Sequence, residues 1–118
     1  IMGKLSTHVL DTMHGKPAQG VRIRLYRFEN SGSTLLKTTF TNADGRCSEP
    51  LLQGREMQPG RYELVFSAGD YFAALGVAAA DPRFLDDIPV RFGIADIDES
   101  YHVPLVMTPW TYAAYRGS

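Results

Sequence analysis

Two of the three histidines, His8 and His102, fall inside alternating stretches, Leu5-Ser6-Thr7-His8-Val9-Leu10-Asp11 and Tyr101-His102-Val103-Pro104-Leu105. Imidazole titrates near neutral pH, so two such residues on extended elements are candidates for a general base and its partner. Taken singly, each also reads as a hydrogen-bonded strand histidine, and nothing in the linear order brings them together. His14, between Met13 and Gly15, reads as an exposed loop residue. Arg46 closes the turn Thr41-Asn42-Ala43-Asp44-Gly45-Arg46. A guanidinium held there offers two parallel hydrogen bonds to a planar carbonyl or an anionic imide, although a plain surface charge at a strand end fits as well. The last candidate is the chain end. Most termini are polar and frayed, whereas here Trp110-Thr111-Tyr112-Ala113-Ala114-Tyr115 leads directly into Arg116-Gly117-Ser118.

Other chemistries lack their residues. His8 and His102 do not form the short-spaced His or Cys pairs usual in zinc proteins, and Cys47 is the only cysteine, which excludes an intrachain disulfide and a thiolate zinc site. The sequence holds no glycine-rich phosphate loop, no serine nucleophile elbow and no His-Glu-x-x-His stretch. No metal and no cofactor are therefore expected. With 12 basic and 13 acidic residues the net charge is -1, which argues against nucleic acid or a membrane surface as partner. Arg22, Arg24 and Arg27 read as ordinary surface charge. No apolar run approaches the roughly 20 residues that span a bilayer. The expected location is cytoplasmic, or periplasmic if a leader stood ahead of Ile1, whose place before Met2 suggests a remnant or processed end.

The elements that must position these residues are mostly strands. Between Val21 and Phe28, Val21, Ile23 and Leu25 fall on one face and Arg22, Arg24 and Tyr26 on the other, the signature of a half-buried strand. Similar segments run over 5–11, 34–41, 61–67, 90–97, 101–107 and 112–115. Turn signals separate them, among them Gly15 to Gly20, Asn42 to Gly45 and Pro59-Gly60. One stretch, 70–80, is rich in helix formers, with Asp70 as a plausible N-cap and Pro82 as the stop. The 118 residues thus predict one all-β domain over 1–118, a two-sheet antiparallel β-sandwich with one short helix.

Four of these segments together resemble one family. They are Leu5 to Asp11 followed by Gly15-Lys16-Pro17-Ala18, the turn Thr41 to Arg46, Tyr101 to Leu105, and the terminal Tyr115-Arg116-Gly117-Ser118. In this order they are similar to the 5-hydroxyisourate hydrolases, the enzymatic relatives of transthyretin. The resemblance implies a transthyretin-like (prealbumin-like) sandwich assembled as a homotetramer, a dimer of dimers around a central channel. It implies sites at the channel mouths built from more than one subunit, with His8, Arg46, His102 and Ser118 as catalytic residues. His8, Arg46, Tyr115, Arg116, Gly117 and Ser118 would bind the substrate, 5-hydroxyisourate. Water, activated by one of the two histidines, would open the ring of this intermediate of urate catabolism.

Two other readings compete. A hormone carrier with the same fold would bind an aromatic ligand in the channel without hydrolysis, yet such a carrier has no need of His8, Arg46, His102 and the polar terminus. A noncatalytic sandwich module for attachment is suggested by the stretch from Gly15 to Leu25. Such modules usually sit within longer chains.

Overall fold

Alternation in the sequence becomes alternation in burial. The computed structural model describes residues 2–118; along strand β1 (Lys4–Asp11), Leu5, Thr7, Val9 and Asp11 are buried while Ser6, His8 and Leu10 are only half-buried. The other strands are β2 (Lys16–Pro17), β3 (Arg22–Glu29), β4 (Gly32–Phe40), β5 (Leu52–Gln53), β6 (Gly60–Phe66), β7 (Ile88–Ile94), β8 (Tyr101–Met107) and β9 (Tyr112–Ala114), with helix α1 (Ala68–Ala74) between β6 and β7. One sheet has the order β2-β1-β8-β9, with β5 paired to the start of β1; the other runs β4-β3-β6-β7. Their inner faces meet through Leu5, Val9, Val103 and Leu105 from the first sheet and Ile23, Leu25, Leu64 and Phe66 from the second, forming one apolar core. Each such fully buried side chain contributes roughly 1.5–3 kcal/mol.

The two-sheet sandwich with one short helix is as expected, and β8 has the expected bounds. One pairing departs from the antiparallel rule: β1 and β8 run parallel, with Ser6 opposite His102 and His8 opposite Pro104. A parallel pair needs a long crossover. Here the chain supplies one by building the whole second sheet between β1 and β8, so no hairpin dictates their direction.

The helix is shorter than predicted and begins earlier. Its N-cap is Ser67 rather than Asp70, and the Ser67 hydroxyl accepts a hydrogen bond from Arg22 instead of capping the helix. Asp70 lies inside the first turn and pairs with Arg83. At the other end Gly76 adopts a left-handed φ of 78°, and the Gly76 and Val77 amides donate to the carbonyls of Ala73 and Phe72. This closure, which glycine permits, ends the helix before the alanine run that suggested a longer one.

A buried polar cluster fixes the far end of β1. Asp11 is fully buried; one carboxylate oxygen accepts from the His14 amide, and the other from His14 Nδ1 at 2.6 Å and Tyr71 Oη at 2.8 Å. His14 lies in the loop where the sequence placed it, but it is tied to the core. Burial works against ionisation of Asp11, yet the hydrogen bonds from His14 and Tyr71 prevail and hold its carboxyl below the ordinary value of 3.8. Removing the carboxylate in Asp11→Ala leaves the buried Tyr71 hydroxyl without its acceptor, and stability should fall by about 2–3 kcal/mol, read from the urea midpoint at pH 7. Because the native carboxyl is more acidic than the unfolded one, this contribution is complete above the ordinary carboxylate pKa and is lost as pH falls through the lowered native value. The gap between wild type and variant should therefore close only in strong acid.

Candidate active site

His8 and His102 occupy adjacent strands of the first sheet, and both project from its outer face, away from the sandwich core. Period-two alternation explains why: their neighbours Thr7, Val9, Tyr101 and Val103 are the buried residues. Parallel register then sets Ser6 directly beside His102, and the Ser6 hydroxyl lies 2.9 Å from His102 Nδ1.

The turn that follows β4 folds back against the edge of β1 opposite β8. Gly45 has a φ of 74°, and any Cβ there would stand 2.3 Å from the Val9 carbonyl, so only glycine allows the turn to approach β1. The Val9 amide donates to the Gly45 carbonyl at 2.8 Å, and Arg46 forms an antiparallel bridge with His8. Asn42 braces the turn: its side-chain oxygen accepts from the amides of Asp44 and Arg46, at 2.9 and 3.1 Å. The Asp44 carbonyl lies 2.8 Å from His8 Nε2. A carbonyl only accepts, so Nε2 of His8 carries the proton and its Nδ1 is left with the lone pair.

His102 is held below the ordinary imidazole value of 6.5, first by burial and then by the charge of Arg46 and by His8, against a smaller opposing effect of the Ser6 main chain. A neutral imidazole at physiological pH is the form that accepts a proton. The chain end completes the neighbourhood. Gly117 donates its amide to the His102 carbonyl at 2.8 Å, and a Cβ on Gly117 would stand 2.7 Å from His102 Cδ2.

Of the expected site residues, the structure thus brings together His8, Arg46, His102 and Gly117, with the exposed Ser118 one position beyond. Tyr115 and Arg116 are placed differently. Arg116 sits over the ring of Tyr101 at 4.3 Å and reaches Ser100 and Glu99, so its guanidinium is turned from His102. Both residues line a separate depression of about 420 Å³ beside β7, together with Phe92, Glu99 and Tyr101. Sequence reasoning missed Ser6, Asn42 and the Asp44 carbonyl. Only Ser6 left a signal, since it stands two residues before His8 and so on the same strand face. Among the described residues, no group of three or more His, Cys, Asp or Glu side chains is arranged to hold a metal ion, and no helix is long and apolar enough to cross a membrane.

Comparison with known proteins covers nearly the whole chain. Residues 5–117 match the HIUase/Transthyretin family. A 5-hydroxyisourate hydrolase of Pseudomonas aeruginosa is 55% identical over 117 residues, covering 99% of this chain and 93% of that protein. The solved structure of an (S)-allantoin synthase superposes with a TM-score of 0.94 at 45% identity over 99% of this chain, which spans only 44% of that one. Transthyretin from Sparus aurata superposes with a TM-score of 0.86, covering 97% of this chain and 96% of that one, and at 22% identity it speaks for the fold alone.

Proposed function

The chain belongs to the HIUase/Transthyretin family, and from that premise we propose that it hydrolyses 5-hydroxyisourate to 2-oxo-4-hydroxy-4-carboxy-5-ureidoimidazoline. The observation that carries this reading is the meeting of His8, Arg46 and His102 on one sheet face, with His102 held neutral. In the proposed reaction Arg46 grips the planar substrate through paired hydrogen bonds. A water molecule faces the C6 carbonyl and gives its proton to His102 as its oxygen bonds to carbon. Negative charge grows on the carbonyl oxygen, where the guanidinium stabilises it. The ring C–N bond then breaks, and the proton on His102 passes to the leaving nitrogen. No covalent intermediate with the protein is needed.

His8, the other of the two histidines, takes a part separate from the activation of water. Its Nε2–H is committed to the Asp44 carbonyl. The free Nδ1 suits acceptance of a ring N–H, which makes His8 an orienting group for the substrate. Ser118 is proposed to close over the substrate from the chain end, in a homotetramer of two dimers where neighbouring chains share each site. Light scattering should accordingly give four times the 13.1 kDa of one chain.

The test is to generate 5-hydroxyisourate from urate with urate oxidase and follow its ultraviolet absorbance. Catalytic amounts of the chain should shorten its lifetime well below that of spontaneous decay, in proportion to chain concentration. Decay at the spontaneous rate would refute the proposal. In the competing carrier reading, thyroid hormone would quench Trp110 fluorescence at low concentration; the hydrolase reading predicts no tight saturation.

Gly117→Ala probes the packing of the chain end on His102. The added methyl must displace the ring or the terminus, and kcat should fall roughly tenfold, since misplacement on the ångström scale costs up to about a hundredfold. The tetramer should persist. Wild-type turnover in this variant would remove the terminus from the site.

A further inference from the structure

We infer that Ser6 is a positioning residue: it holds His102 in the tautomer protonated on Nδ1, so that Nε2 carries the lone pair that accepts the proton of water. The inference rests on the hydrolase reading for its catalytic meaning, but its structural part stands on contacts within this chain. Ser6 and His102 are direct partners in the parallel ladder, and the hydroxyl is 2.9 Å from Nδ1 in a partly buried setting.

A hydroxyl can donate or accept, so that contact alone does not set the direction. The other ring nitrogen does. Among the described residues no protein group pairs with His102 Nε2, so a ring proton finds a protein acceptor only at Nδ1, where the Ser6 hydroxyl receives it. The two imidazoles are therefore pinned in opposite senses. His8 is held through Nε2 by the Asp44 carbonyl and presents Nδ1, whereas His102 is held through Nδ1 by Ser6 and presents Nε2. One site thus obtains two acceptors with distinct directions, and the second nitrogen of each ring decides which is which.

Ser6→Ala removes the hydroxyl while leaving the strand and its carbonyl in place. Two-dimensional NMR on protein with 15N-labelled histidine reports the tautomer without any substrate. In the wild type above the pKa of His102, Nδ1 should show the shift of a protonated nitrogen and Nε2 that of a bare one. In Ser6→Ala the population should move toward the Nε2–H form, kcat should fall roughly tenfold, the scale of one hydrogen bond, and KM should change less than twofold. Loss of the acceptor that stabilises the Nδ1–H of the charged ring should also move the acid limb of the rate profile to lower pH. Ser6→Thr, which restores the hydroxyl, should return tautomer, kcat and limb toward wild type.

A proton on Nε2 in the wild type overturns the inference. So does a Ser6→Ala protein that keeps the wild-type tautomer and rate, or a folded Ser6→Thr protein no better than the alanine variant. Because the NMR measurement needs no turnover, a chain inert toward 5-hydroxyisourate would defeat the hydrolase reading while the tautomer assignment is judged separately.

Discussion

Replacing His102 with glutamine should lower kcat for 5-hydroxyisourate by roughly a hundred- to ten-thousandfold, the range a positioned general base supplies. Glutamine keeps a polar side chain of similar reach near the start of the parallel ladder, so strands β1 and β8 and the contact with Gly117 have no reason to separate. What disappears is the only nitrogen proposed to take a proton from water. KM should change little, because the group acts on water rather than gripping the substrate. Circular dichroism and light scattering on the same protein should match wild type. Substantial turnover in folded His102→Gln would move the base elsewhere, with His8 the next candidate.

The second large loss is expected at Arg46. In Arg46→Ala, kcat should drop by about a hundred- to a thousandfold, as when a donor to a developing oxyanion is removed, and KM should rise because the same guanidinium grips the ground-state ring. Arg46→Lys should recover little of this, since an ammonium keeps the charge but not the planar pair of donors. The substitution has a second consequence. The charge of Arg46 is one of the causes that hold His102 below its ordinary value. With alanine in its place, the His102 pKa should climb back toward 6.5, and the residual activity should titrate at higher pH than in the wild type. If lysine restored full activity, a simple positive charge would suffice and the bidentate geometry would be irrelevant.

Much of this arrangement was legible in the chain, and the limits follow from physics. Period-two patterning placed His8 and His102 on strands and marked β8 to the residue, because alternate burial leaves its record locally. That the two strands are neighbours was beyond reach: their pairing is parallel and closes across the entire second sheet, and no local turn encodes such a contact. The turn at Asp44-Gly45 was visible as a turn, but its seat against Val9 depends on a backbone approach that only the folded chain reveals. Helix propensity ran on through Ala78, Ala79 and Ala80, while the glycine closure at Gly76 decided the end. Arg116, expected beside the substrate, instead stacks on Tyr101 and pairs with Glu99. The four ordered motifs named the segments; the folded chain supplied the hydrogen bonds that give each histidine a separate task.

The most direct test of the central claim, that neutral His102 beside Arg46 takes the proton of water, is the pH dependence of kcat/KM with the spontaneous decay subtracted at each pH. A base works only when deprotonated, so the rate should rise with pH through the His102 pKa and level off above it. Because burial and Arg46 hold that pKa down, the midpoint should fall below 6.5, and the limb should vanish in His102→Gln. A flat profile, or a limb that survives in the glutamine variant, would contradict the account.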